Sequence, residues 1–315
     1  MPYAQAHYPF ENKEKFEKSF PADFVCEGID QTRGWFYTLL ILGTHLFNKS
    51  PWKNLITTGL VLAEDGKKMS KSLRNYPDPT LLINQYGADA VRLYLVNSPV
   101  VRGENLRFRE AGVKEVLSSA FLPWLNSFRF FLGQVALLKK GYRHRLQVRP
   151  KAPLSDNVMD RWILARCQSL IKLVQEEMDA YRLYTVMPET AQPDRRVDQL
   201  VHSMQPTPSQ GENGKKDTVA ALNSLFETLF HSVPDHVVFH AFLTENIYQG
   251  LRVFLPPTAA DDKQDYRSVH FISFPEVRQE YLDPVIQRRF AALQSVIELT
   301  RTVRERNTLP LRVAP

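Results

Sequence analysis

The chain has 315 residues, 43% of them hydrophobic, which is enough apolar material for two packed domains and excludes a broadly disordered polymer. Lys and Arg number 40 against 34 acids, a net charge of +6 that suits a polyanionic partner without demanding one. Only two cysteines occur, Cys26 and Cys167, which excludes a disulfide framework and a cysteine zinc site and points to a reducing compartment.

Met1-Pro2-Tyr3-Ala4-Gln5 has neither the basic nor the apolar region of a signal peptide. Residues 1–20 are polar and charged and read as a loop. Asp23 to Glu27 reads as a short buried strand, after which Gly28-Ile29-Asp30-Gln31 turns the chain. From Arg33 to Phe47 the apolar residues fall at helical spacing, with Trp35, Leu39, Leu42 and Leu46 along one side. The apolar run Phe36 to Leu42 within it is far too short to span a bilayer. Lys53 to Leu62 is apolar and β-branched and predicts a second strand. Strand, helix and strand in this order make a βαβ unit, the building block of parallel sheets.

A loop from Ala63 to Ser72 follows, and Pro77 and Pro79 punctuate its exit. Thr80 to Val96 predicts a helix that Ser98-Pro99 ends. Beyond Arg109 the pattern is long and helical. Helices are predicted over Glu110–Leu138, with an interruption near Pro123, and from an N-cap at Ser155-Asp156 to about Leu183. Two more are predicted over Lys216–Phe230 and Val285–Arg304. The change from βαβ to all-helix near Pro99 marks the expected domain boundary.

The loop carries the chemistry. Lys67, Lys68 and Lys71 surround Met69, while Ser70 and Ser72 supply hydroxyls and Gly66 supplies a hinge. A loop at the carboxyl end of a parallel strand lies where open α/β sheets bind ligands. Ammonium groups there would neutralise charge that develops on a polyphosphate during displacement at phosphorus.

The string Lys68-Met69-Ser70-Lys71-Ser72 matches the KMSKS signature of class I aminoacyl-tRNA synthetases. The segment from Glu27-Gly28-Ile29-Asp30-Gln31 through Trp35-Phe36 resembles the isoleucine enzymes more than the valine or leucine ones. Asn75-Tyr76-Pro77-Asp78-Pro79, Tyr86-Gly87-Ala88-Asp89-Ala90-Val91-Arg92 and Asn97-Ser98-Pro99-Val100-Val101-Arg102 continue the likeness in the cytosolic eukaryotic style. Asp160-Arg161-Trp162-Ile163-Leu164 opens what resembles the anticodon-binding helices.

The resemblance implies an α/β partial Rossmann half, βαβ plus the KMSKS loop, followed by an all-α anticodon-binding bundle. It implies a catalytic-domain half over 1–98, an anticodon-binding domain over 99–270 and the start of a C-terminal extension over 271–315. It implies an isoleucine–tRNA ligase of the cytoplasm, with ATP and Mg²⁺ as substrate, isoleucine and tRNA(Ile) as partners, and other synthetases as neighbours in a complex. No membrane, zinc site or other metal ligand is implied. By the same resemblance Lys71 contacts the ATP phosphates, and Lys68 and Ser70 shape the loop. Glu27 and Gly28 meet the adenylate, Asp30 and Gln31 orient it, and Trp35 lines the isoleucine pocket.

Three parts of the family pattern have no counterpart in the sequence: the His-Ile-Gly-His string, the editing domain and the upstream tryptophan segment. The expectation is that these 315 residues alone do not form the adenylate. A non-catalytic tRNA-binding remnant is the rival reading. Residues 189–210 and 231–241 depart from the family pattern. A one-nucleotide shift with permitted codons turns the first into a string like the family's Asn-Trp-Tyr-Ile-Arg helix, and the second also regains the pattern. Compensated frameshifts are the expected cause.

Overall fold

A computed structural model describes residues 2–70, 72–143, 146, 148, 157–186, 212–236, 241–255 and 265–307. Segment 189–210 and the proposed cap Ser155-Asp156 lie outside these residues. The chain divides into two compact units: Met1–Gly87 with Val91–Lys114, and Ala88–Ala90 with residues from Glu115 onward.

In the first unit, β1 (Ala22–Gly28) and β2 (Trp52–Thr58) pair in parallel, with Val25 opposite Leu55 and Glu27 opposite Thr57. Helix α3 (Trp35–Phe47) connects them, so the βαβ unit is present. The strands are less buried than the sequence suggested: Phe24 and Leu55 are exposed. The buried stripe of α3 is Phe36, Leu39 and Gly43, whereas Trp35 and Leu46 are exposed. Helical periodicity was right and its phase was shifted by one residue. Gly43 explains part of the shift. A Cβ there would lie 3.2 Å from the Lys49 carbonyl oxygen, so the returning chain packs directly on the helix backbone.

Residues 1–20 are not a plain loop. They form α1 (Pro2–Gln5) and α2 (Lys13–Ser19), and these helices with the residues beside them bring Tyr3, Tyr8, Phe16 and Phe20 to one another and to Phe47 of α3. The Phe16 and Phe20 rings stack at 5.0 Å, and Phe20 meets Phe47 at 4.7 Å. Charged residues between the aromatics hid this cluster from a reading by periodicity.

The second predicted strand is two elements. After β2 the chain steps across Gly59 into β3 (Val61–Leu62), which pairs in parallel with β4 (Leu106–Arg107). Gly59 is obligatory, because a Cβ there would fall 1.7 Å from the Glu104 carbonyl oxygen. Its N–H donates to the Val100 carbonyl at 2.8 Å, and Leu60 N–H donates to Asn105 Oδ1 at 3.1 Å.

The helix predicted over Thr80–Val96 is likewise two helices, α4 (Pro79–Tyr86) and α5 (Ala88–Val96). Gly87, at φ 87°, breaks it in a conformation other residues disfavour. Asp78 caps α4, accepting from Thr80 N–H at 2.8 Å, with Pro79 in the first turn. Tyr86 Oη donates to Glu110 Oε1 at 2.7 Å.

In the second unit, α6 (Glu110–Val116), which begins in the first, runs through a π-helical turn (Leu117–Phe121) into α7 (Leu122–Tyr142). The ladder slips there: Leu122 N–H donates to the Leu117 carbonyl, five residues back. Pro123 is the next residue and has no N–H to offer a regular helix, so the slip falls where the sequence puts the interruption.

Helix α8 (Val158–Asp179) starts from Asn157, whose Oδ1 accepts from Met159 N–H at 2.8 Å. Helix α9 (Glu212–His236) runs six residues past the predicted Phe230 end and contains Pro234, so the off-pattern stretch is helical as far as His236. Helix α10 (Ala241–Arg252) was not anticipated, and α11 (Pro284–Arg306) was.

Phe131 and Leu138 of α7, Leu225, Phe226 and Leu229 of α9, and Ile247, Tyr248 and Leu251 of α10 form one core. Full burial of each large side chain contributes about 1.5–3 kcal/mol. Gly250 lets the Phe128 ring lie against the α10 backbone, where a Cβ would meet its Cζ at 2.4 Å.

A second core joins Trp162, Ile163 and Leu164 of α8 to Tyr281 and Ile286. Side-chain amides fasten the intervening segment. Gln168 Oε1 accepts from Arg278 N–H at 2.8 Å, and Gln175 Nε2 donates to the Pro275 carbonyl at 2.9 Å.

Candidate active-site loop

The KMSKS string leaves β3 as a loop whose base is tightly organised. Ala63 is buried, and its N–H donates to the Lys67 carbonyl at 2.9 Å. Gly66 N–H returns to the Ala63 carbonyl at 2.9 Å, and Gly66 takes φ 83° as the reversal requires. Asp65 Oδ1 accepts from Lys67 N–H at 3.0 Å, and its carboxylate lies 3.4 Å from Lys67 Nζ. The Lys67 N–H, more than its ammonium, holds the Asp65 carboxyl below its ordinary pKa. Lys67 is thereby engaged locally. The backbone of Lys68 turns back to bridge Leu62 in antiparallel fashion, and its side chain is exposed.

Asn75 then closes the loop from the far side. Its Nδ2 donates to the Lys68 carbonyl at 3.0 Å, and its Oδ1 accepts from Ser70 N–H at 2.9 Å. Arg74, in the left-handed region at φ 46°, donates its N–H to the Ser70 carbonyl at 3.0 Å. The hydroxyls of Ser70 and Ser72 are 2.7 Å apart. Lys71 lies outside the described residues.

The other predicted group gathers at the carboxyl end of β1. Glu27 is exposed there, beside Thr57 of β2. Asp30 folds its carboxylate over Gly28, where a Cβ would sit 2.6 Å from Asp30 Oδ1. Gln31 Oε1 accepts from Trp35 N–H at 3.0 Å, capping the start of α3, and its Nε2 reaches Asp30 Oδ2 at 3.4 Å. Trp35 is 39% exposed, with its ring tilted against Phe36 at 6.0 Å.

The structure therefore brings Gly28, Asp30, Gln31 and Trp35 together as one group. Lys68, Ser70 and Ser72 form another. Leu60, at the step from β2 to β3, lies beside the first group, with its Cδ2 4.0 Å from the position a Gly28 Cβ would take.

Sequence reasoning gave no role to Asn75, Asp65 or Arg107, although all three shape the loop. The Arg107 guanidinium lies under Gly66, with Nε 3.1 Å from where a Cβ would be. An asparagine between two turns reads as a turn former, so its double hydrogen bond had no separate signal. An exposed ammonium with two hydroxyls on a braced loop can bind and neutralise a polyphosphate without covalent chemistry.

Comparison with known proteins bears on both units. Residues 1–107 match the family described as tRNA synthetases class I (I, L, M and V), and residues 160–313 match the anticodon-binding domain of tRNA ligase. The cytoplasmic isoleucine–tRNA ligase of Saccharomyces cerevisiae is 52% identical over 99% of this chain and 29% of its own length. The Schizosaccharomyces pombe ligase is 53% identical over the same shares, and the Mus musculus ligase is 49% identical over 99% of this chain and 25% of its own. The chain thus spans less than a third of the length of these relatives.

Among solved structures, the LeuRS–tRNA–LeuAMS ternary complex of Agrobacterium radiobacter aligns with 90% of this chain and 33% of its own, at TM-score 0.61 and 19% identity. Mycobacterium tuberculosis methionyl-tRNA synthetase bound by methionyl-adenylate aligns with 77% and 46%, at TM-score 0.63 and 18% identity. These likenesses are of fold alone. With two family matches covering most of its residues and cytoplasmic isoleucine–tRNA ligases about half identical along its length, this chain belongs to the class I aminoacyl-tRNA synthetases, in the isoleucine group.

Proposed function

We propose that the chain is the KMSKS-bearing part of a cytoplasmic isoleucine–tRNA ligase, with residues 1–98 as half of a Rossmann catalytic domain. Residues 99–270 then serve as the anticodon-binding domain and 271–315 open a C-terminal extension. The observation that carries this reading is the braced loop at the end of β3, which offers Lys68 and Ser70 from a fixed backbone.

In the first step a carboxylate oxygen of isoleucine attacks the α-phosphorus of Mg-ATP. The bond from that phosphorus to the bridging oxygen breaks, and pyrophosphate leaves. In the second, the terminal ribose hydroxyl of tRNA(Ile) attacks the acyl carbon, AMP leaves, and the hydroxyl proton is released. Lys71 and Lys68 neutralise the charge that develops on the phosphates, and Ser70 donates to it. Glu27, Gly28, Asp30 and Gln31 hold the adenylate at the end of β1, and Trp35 lines the isoleucine pocket. The grouping of Gly28, Asp30, Gln31 and Trp35 supports that assignment.

Helix α11 carries five arginines, Arg288, Arg289, Arg301, Arg304 and Arg306, against Glu298 and Glu305, which suits a tRNA backbone. Neighbouring synthetases in a complex are a further proposed partner.

The 315 residues alone are proposed not to catalyse adenylation, because the described strands form two-stranded sheets and a Rossmann crevice needs walls from both of its halves. Isoleucine-dependent ATP–pyrophosphate exchange tests this. The expected result is exchange when these residues replace the matching segment of the full-length budding-yeast relative, and none from the chain by itself. Exchange by the isolated chain would overturn the second part, and an inactive chimera would overturn the first.

A further inference from the structure

We propose that Asn75 is the positioning residue of the lysine loop, a role that rests on reading this loop as the adenylation loop. Both polar atoms of its carboxamide are used on backbone, and they grip the chain on the two sides of Met69: the Lys68 carbonyl at 3.0 Å and the Ser70 N–H at 2.9 Å. No other residue type of this length offers a donor and an acceptor in one fixed plane. The grip is itself anchored. Asn75 follows the left-handed Arg74, whose N–H closes onto the Ser70 carbonyl at 3.0 Å. Three residues further on, Asp78 caps α4. On the opposite side Lys68 is bridged to Leu62 of β3. The backbone of Lys68 is therefore held from β3 and from the segment leading into α4 at once, and Ser70 enters the next turn from a fixed position.

Both hydrogen bonds of the Asn75 side chain fall on the loop, so it acts there and not on the amino-acid pocket. Without it, two backbone groups lose their partners and the loop must be ordered anew at each turnover. That cost falls on the transition state, where small misplacements are expensive. Ground-state binding of isoleucine is left as it was.

The test uses the full-length chimera described above, with rates counted per folded molecule. Asn75→Ala should lower kcat of pyrophosphate exchange by about tenfold to a hundredfold, with KM for isoleucine unchanged within about twofold. Asn75→Asp keeps the acceptor for Ser70 N–H and the side-chain shape, so its kcat should fall between the two. Amide hydrogen exchange at Ser70 should quicken in Asn75→Ala while β3 amides hold their protection.

Native kcat per folded molecule in both variants would overturn the proposal. If Asn75→Ala does not fold, Asn75→Asp decides alone by the same measure. Lys68→Ala separates this from the functional reading. Full exchange in Lys68→Ala would sink the adenylation loop itself. Loss of exchange in Lys68→Ala beside native rates in both Asn75 variants would remove only the clamp.

Discussion

The two units hold themselves together in different ways. The helical unit rests on large side chains buried against one another, with Phe131, Tyr248 and Leu251 fully enclosed. The βαβ unit has a smaller aromatic cluster around Phe16 and Phe47, and adds close backbone approaches and polar side chains that grip backbone: Gly59 against Glu104, Gly43 against Lys49, and Asn75 across Met69. Its strands leave Phe24 and Leu55 exposed. A hydrophobic core tolerates repacking, because its contacts are many and undirected. A backbone contact or a paired carboxamide has one acceptable geometry. The unit that carries the loop is therefore the more exactingly specified of the two, although it buries less.

The largest expected effect tests the buried side of that contrast. Phe226→Ala removes a ring that touches Phe131, Phe230 and Phe254, and should cost the helical unit about 3–5 kcal/mol. Denaturant unfolding followed by hydrogen exchange should show protection lost in α7, α9 and α10 and kept in β1 and β2. Equal loss in both units would mean that they do not hold themselves together separately.

Next comes the backbone side. Gly59→Ala places a methyl group against the Glu104 carbonyl, and overpacking of this kind costs about 1–3 kcal/mol. The same measurement should now show the reverse pattern, with β2 and β3 opening first. A Gly59→Ala protein as protected in β2 and β3 as the native chain would disprove the close approach.

The smallest effect is electrostatic. Glu177 receives both arms of the Arg182 guanidinium at 2.7 Å and the Thr185 hydroxyl, and these partners, Arg182 foremost, hold its carboxyl at about 2 instead of the ordinary 4.5. A carboxyl depressed in the folded state stabilises above its unfolded value and loses that contribution as pH falls. The C-terminal turn after α8 should therefore keep its amide protection above pH 4.5 and lose it progressively toward about pH 2. In Arg182→Ala the protection above pH 4.5 should be lower and the acid-dependent decline correspondingly smaller. An unchanged profile in the variant would sever the link.

Legibility in the sequence followed the same divide. The βαβ order and the helices over residues 110–142, 158–179 and 284–306 were readable because apolar periodicity is local and repeats. The lysine loop was readable because its residue types are unusual together. What escaped depends on partners far along the chain or on a single atom. The packing of Tyr3 and Phe16 on Phe47 spans more than thirty positions. The need for glycine at 59 is set by residue 104. The use of Asn75 as a clamp depends on where the Lys68 carbonyl happens to point. Asn157 caps α8 two positions beyond the expected Ser155, an error of the usual size for a helix end.

The π-helical turn at Leu117–Phe121 holds one residue more than an α-helical turn would. One residue added to a helix rotates the following side chains by about 100°. The slip takes that residue up within one turn, so Phe131 and Leu138 still face the core of the helical unit. Excising Ser118 or Ser119 would take out the residue that the slip absorbs, so a regular helix would carry every downstream side chain to the bearing it already has. The five-residue turn works as slack taken up in one place, and the helix beyond it stays in register.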